Sequence, residues 1–141
     1  MVEGDKLRTK LNYIQKNVEE LEIIKHFSYQ EFLEKPFCFA ASLRYLQVAI
    51  EAMTDVVMHI IARERIGLPQ HHGHAVELLV QKGIFSSEFG LTLRKMIRFR
   101  NRIVHIYDEV DERSIYEVIQ SHLQEFHEFV DIVSREYLRE V

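Results

Sequence analysis

The chain has 141 residues, 47% of them apolar and 28% charged, with a formal charge of −4. That length suits one domain with a real core, and the balance of residue types is that of a soluble globular protein rather than a disordered or fibrous one. No uninterrupted apolar run approaches the roughly 18 residues of a membrane span, and Met1-Val2-Glu3-Gly4-Asp5 lacks the basic and apolar regions of a secretory leader, so a cytoplasmic protein without a membrane partner is expected.

The acidic balance argues against a protein that coats nucleic acid through its overall field. Cys38 is the only cysteine, which excludes an internal disulfide and suits a reducing compartment. Flanked by Phe37 and Phe39, it reads as a small buried hydrophobe rather than a nucleophile.

Apolar residues recur at helical spacing nearly everywhere, and no segment alternates at period two. Leu7, Leu11, Ile14, Val18 and Leu21 predict a first helix of roughly five turns. Ser28-Tyr29-Gln30-Glu31 has capping-box form and opens a short second helix. Pro36 suits the first turn of a third, whose seam is Leu43, Leu46, Ile50, Met53, Val57 and Ile60, with Gly67 and Pro69 ending it. Residues 66–73 read as a loop, followed by a short helix through Ala75, Leu78 and Leu79 that stops at Gly83. Ser86 or Ser87 caps the next helix, with Phe89, Met96, Phe99, Ile103 and Ile106 as its seam. Asp111 caps the last helix, Val110 and Ile115 forming a hydrophobic staple, and the seam continues through Ile119, Phe126, Val130, Val133 and Tyr137. The expected fold is all-α: an up-and-down helical bundle of four long helices plus one or two short helices, a single domain over 1–141.

One run stands apart from this packing logic. Arg100-Asn101-Arg102-Ile103-Val104-His105-Ile106-Tyr107 places an arginine, a histidine and a tyrosine near a helix end, and few of these residues belong to the apolar seam. Arg94, Lys95, Arg98 and Arg102 lie on the same segment, a local basic patch on an acidic body, although a solvated helix face has the same composition. Each helical residue turns by about 100°, so Tyr107 falls about 20° from Arg100 while His105 lies near 140° and Asn101 near 100°. Arg100 and His105 diverge within one intact helix. Either the helix loosens near His105, or the two residues act together across a two-fold dimer that pairs two such helices around one cleft.

Read as Arg-x4-His-x-Tyr, the run resembles the signature of the HEPN ribonucleases, and of their HepT toxin branch in particular. The resemblance extends from roughly residue 5 to 138: Gly67-Leu68-Pro69 leads into a short helix, then Leu79-Val80-Gln81-Lys82-Gly83-Ile84, then the amphipathic run into the motif, with a helical segment after Asp111. It implies a HEPN-like helical homodimer that cuts RNA, tRNA among the candidates, without a metal or other cofactor. It also implies a partner, a small MNT-type nucleotidyltransferase antitoxin that silences the nuclease by transferring AMP onto the motif tyrosine, here Tyr107. Ile106 stands where the family carries a small or polar residue, which leaves the Arg–His pair intact and alters the surroundings of Tyr107.

The chemistry of the side chains is compatible with that implication. Imidazole has its unperturbed pKa near neutrality, so His105 can accept the proton of a ribose 2′-hydroxyl and a histidine can return one to the leaving 5′-oxygen. Arg100, a fixed planar cation, can hold the scissile phosphate, and Asn101 can fix the histidine or the phosphate. Arg94, Lys95, Arg98 and Arg102 are candidates for holding RNA. Taken by type alone, Arg100 is a surface arginine, His105 a helix-end histidine that favours the C-terminal dipole, and Tyr107 a half-buried aromatic with a wet hydroxyl.

Two other readings remain. A non-catalytic helical dimer could bind and regulate a minimal nucleotidyltransferase. A metal-dependent enzyme could use His71, His72 and His74, but no cysteine or carboxylate stands at the spacing that would complete a zinc site, and an exposed polar loop is expected there instead. His122 and His127, five apart on the last helix, do not share a face. The acidic group Asp108, Glu109, Asp111 and Glu112 reads as a turn and helix cap.

Overall fold

Leu7, Leu11, Ile14, Val18 and Leu21 are all buried on α1 (Gly4–Lys25), the stripe their spacing predicts. The computed structural model describes residues 4–105 and 111–138, with Val104 and His105 as backbone only. Five further helices follow: α2 (Tyr29–Glu34), α3 (Cys38–Glu64), α4 (His72–Gln81), α5 (Ser87–His105) and α6 (Glu112–Tyr137). Among the described residues there is no strand, and the four long and two short helices are the expected all-α bundle.

α3 is the central helix, packed against all five others; α1 also packs on α6, and α4 on α5. It is long and apolar enough, by length and composition, to cross a membrane, yet most of its apolar stretch is buried inside the bundle, as in a core helix. Its buried residues are more than the predicted seam: Ala49, Val56 and Ile61 are enclosed as well as Leu46, Ile50, Met53, Val57 and Ile60. Truncating Leu46, Ile50, Met53, Ile60 or Ile61 to alanine costs about 2–5 kcal/mol in a close-packed core.

The caps follow simple rules. Ser28 and Glu31 form the reciprocal capping box of α2. Ser86, not Ser87, starts α5 by accepting the Phe89 amide at 3.0 Å. Asp111 accepts the Ser114 amide at 2.8 Å and starts α6. At the far end of α1, Gln120 donates to the Lys25 carbonyl and the Tyr116 hydroxyl to that of Phe27, at 2.9 and 2.8 Å, so α6 satisfies acceptors left open by α1 and by the turn after it.

Four expectations are corrected. Pro36 precedes α3 rather than entering its first turn, because Phe37 takes a left-handed conformation (φ 65°) and the helix starts at Cys38. α3 ends before Gly67: Arg65 adopts the left-handed C-cap (φ 51°) and donates to the Ile61 carbonyl. Residues 72 and 73 are helical, so the loop is shorter than 66–73. On α5 the buried face includes Leu93 and Ile97, while Phe99 and Ile103 are only partly covered, because α5 packs against both α3 and α4. Ile106 and Val110 lie outside the described residues, and the staple with them.

The approach of α4 to α5 depends on Gly90. A Cβ there would stand 2.4 Å from the Val80 Cγ2 methyl, so only glycine lets the two helices lie this close.

Candidate active site

Arg100 sits where α5 crosses α3, its side chain 26% exposed. Its Nε donates to Glu51 Oε2 at 3.0 Å, its Nη2 donates to the same oxygen, and its Nη1 donates to Asn101 Oδ1 at 3.1 Å. These bonds leave one N–H on each terminal nitrogen, a fork suited to a phosphate oxygen pair. Asn101 therefore braces the arginine.

Glu51 escaped the sequence reading. Burial pushes its carboxyl upward, but hydrogen bonds from Arg100 and Gln47 and the charges of Arg100 and Arg44 outweigh that and hold it below the usual carboxylate range. Gln47 donates to it at 3.1 Å. A signal was present: Glu51 interrupts the apolar stretch Val48-Ala49-Ile50 and Ala52-Met53, and a carboxylate there demands a partner.

The basic candidates divide between two flanks of α5. Arg94, Arg98 and Asn101, with Ile97, line a groove of about 700 Å³ whose opposite wall is the start of α4. Arg94 pairs with Glu77 across it at 3.6 Å. Lys95 lies on the other flank, in a cleft between α5 and α6 beside His122 and Glu125. Arg102 is exposed, and helical register places it with Lys95. Position 105 is the last residue of α5 and follows Asn101 by one turn, on the stripe of Arg94 and Arg98. Arg100 thus faces α3 while position 105 belongs to the groove stripe, as the spacing predicts. Tyr107 lies outside the described residues.

Of the three histidines, His71 and His72 are exposed as expected, but His72 and His74 belong to the first turn of α4 rather than to a loop. His71 is the N-cap of α4, its Nδ1 accepting the His74 amide at 3.1 Å, and His74 Nδ1 accepts the Gln70 amide at 3.0 Å. Both lone pairs that would ligate a metal are thereby engaged. Among the described residues no group of three or more histidine, cysteine or acidic side chains could hold a metal ion. His122 and His127 pair instead with Glu125 and Glu22, at 2.9 and 3.0 Å. Cys38 is buried, and burial raises its thiol pKa.

Bundle, motif and helix order are together those of the HEPN class. Comparison with known proteins narrows the class. The chain belongs to the ribonuclease HepT-like family, whose sequence profile matches residues 14–133. It is 33% identical over 91 residues to an mRNA nuclease HepT of Shewanella oneidensis, a match covering 64% of this chain and 68% of that one. It is 24% identical over 120 residues to a tRNA nuclease HepT of Aphanizomenon flos-aquae, covering 85% and 82%. Its fold superposes with a TM-score of 0.85 on the tri-AMPylated HEPN toxin of Shewanella oneidensis in complex with an MNT antitoxin, at 25% identity over 94% of this chain and 99% of the toxin.

Proposed function

We propose that this protein is a cytoplasmic, metal-independent ribonuclease toxin acting as a homodimer, with Arg100 and His105 as its catalytic pair. The observation that carries the reading is the braced Arg100 guanidinium, oriented by Glu51 and Asn101 with N–H groups still available. A cation fixed before substrate arrives needs no reorganisation when charge develops on the phosphate, the condition under which such groups accelerate a reaction most.

In this reading a phosphodiester lies in a cleft shared by two copies, because Arg100 and position 105 diverge on one α5. His105 takes the 2′-hydroxyl proton, and that oxygen attacks phosphorus. The bond to the 5′-oxygen breaks, and a histidine, from the second copy, returns a proton to it. The products are a 2′,3′-cyclic phosphate and a free 5′-hydroxyl; tRNA and mRNA are the substrates that the relatives' names suggest. The silencing partner is an MNT-type nucleotidyltransferase that transfers AMP to Tyr107.

The test is cleavage of RNA by the purified dimer in EDTA. Arg100→Ala and His105→Ala, each verified as folded, lower the rate by about a hundredfold or more. Cleavage at the parental rate by either variant removes the proposal. One observation favours a non-catalytic dimer that regulates the transferase: the Arg100 charge is already offset by Glu51. A folded parent that binds the transferase and leaves RNA intact would establish that alternative.

A further inference from the structure

We propose that the groove between the start of α4 and the outward stripe of α5 binds single-stranded RNA on its way to Arg100, with Arg98, His71 and His74 as contacting side chains. What is bound rests on the ribonuclease reading above; where it binds rests on the groove itself.

The α5 wall carries Arg94, Arg98 and Asn101 at helical spacing, and the α4 wall carries His71, His72 and His74. The tautomers of two of these histidines follow from their hydrogen bonds. A neutral imidazole that accepts at Nδ1 holds its proton on Nε2, so His71 and His74 each keep an N–H donor on the ring nitrogen away from the backbone. The positive end of the α4 dipole stands behind them. Glu77 is the carboxylate that lines the groove, and it is engaged by Arg94. The Nε of Arg94 is buried with no hydrogen-bond partner, while Arg98 is exposed along the same wall. A row of donors and a cation match the acceptor oxygens of a nucleic-acid backbone.

The groove also leads somewhere. His72 and Ile97 line it and line the adjoining pocket that holds Glu51, Thr54 and Arg100. A strand lying along Arg98 is carried toward the guanidinium assigned to the scissile phosphate. The rings of His71 and His74, 6.1 Å apart and inclined at 51°, offer faces for an unstacked base, which favours a single strand over a duplex.

The experiment uses the intact dimer, a fluorescent single-stranded RNA oligonucleotide and a dinucleoside monophosphate too short to occupy the groove. Arg98→Ala removes the exposed cation. His71→Asn keeps a side-chain oxygen to cap α4 but removes the imidazole donor. Each variant is expected to weaken oligonucleotide binding by about tenfold and to raise KM for its cleavage similarly, with a smaller effect on the dinucleotide. The salt dependence of binding falls by about one ion for Arg98→Ala. Parental oligonucleotide affinity in both variants, or no RNA binding by the parent, overturns the groove. Failure of the nuclease reading looks different: no parental cleavage, yet RNA binding that still weakens in Arg98→Ala. If Arg100→Ala abolishes cleavage while both groove variants behave as the parent, the nuclease stands and the groove falls.

Discussion

Arg100 on α5 and Glu51 on α3 lie 49 positions apart in sequence and share a two-pronged ion pair, with Nε and Nη2 both donating to Oε2. Both side chains are partly shielded, at 26% and 35% exposure. The pair ties the motif helix to the central helix at the residue proposed to hold the phosphate.

Glu51→Ala should therefore lower RNA cleavage far more than it lowers stability. A partly exposed pair contributes only about 0–1 kcal/mol to folding, whereas an arginine released from its orientation loses about ten- to a hundredfold in rate. Glu51→Gln, which keeps an oxygen acceptor without the charge, falls between. Thermal unfolding and kcat measured on the same samples check this; parental kcat in Glu51→Ala would show that the arginine orients itself.

The pair has a pH window of known sign. Glu51 is held below the usual carboxylate range, first against the effect of burial and then by Arg100, Gln47 and Arg44. Its folded state binds fewer protons than the unfolded chain, so its contribution is complete above the ordinary carboxylate pKa and is lost as pH falls through the depressed one. The stability difference between the parent and Glu51→Gln should be constant through neutral pH and shrink only in acid below about pH 4. A difference that disappears between pH 6 and 7 would point to a histidine instead.

Gly90→Ala places a methyl where Val80 already stands, 2.4 Å away. Overpacking of this kind costs about 1–3 kcal/mol. Calorimetry on Gly90→Ala, and on the same change combined with Val80→Ala, checks the mechanism: the second substitution should restore part of the loss. Equal unfolding temperatures for parent and Gly90→Ala would mean that α4 shifts freely.

Zinc should neither stabilise the protein nor remain with it through purification, since His71 and His74 spend their Nδ1 lone pairs on backbone amides. Elemental analysis giving one bound metal per chain would contradict the arrangement at the start of α4.

Tyr107→Phe should leave RNA cleavage intact and remove AMP addition by a co-expressed nucleotidyltransferase. Intact-mass spectrometry of parent and variant decides this, and an AMP adduct on the variant would move the modified residue elsewhere.

Much of the fold was legible because each long helix carries an inner stripe that burial alone enforces: Leu7 to Leu21 on α1 and Ile119 to Val133 on α6. The Ser28 box and the Asp111 cap were legible because their hydrogen bonds are local. Leu93 and Ile97 were missed because a helix with two neighbours buries a wider arc than a single seam. Phe37 and Arg65 take left-handed conformations that favour glycine, so residue type misled at both ends of α3. His71 is an uncommon choice for an N-cap, which hid the start of α4. The motif arginine was legible as a spacing and Asn101 as its neighbour; Glu51 was legible only as a charge needing some partner, since no local rule connects positions 51 and 100.

The contact between position 90 and the Val80 methyl acts as a calliper on the space between the two helices that bound the groove. Its gauge is a single hydrogen atom, one turn before Arg94 on α5 and facing α4. Trading side-chain volume between these two positions should widen or narrow that groove in small steps, and so tune the strand binding proposed for it.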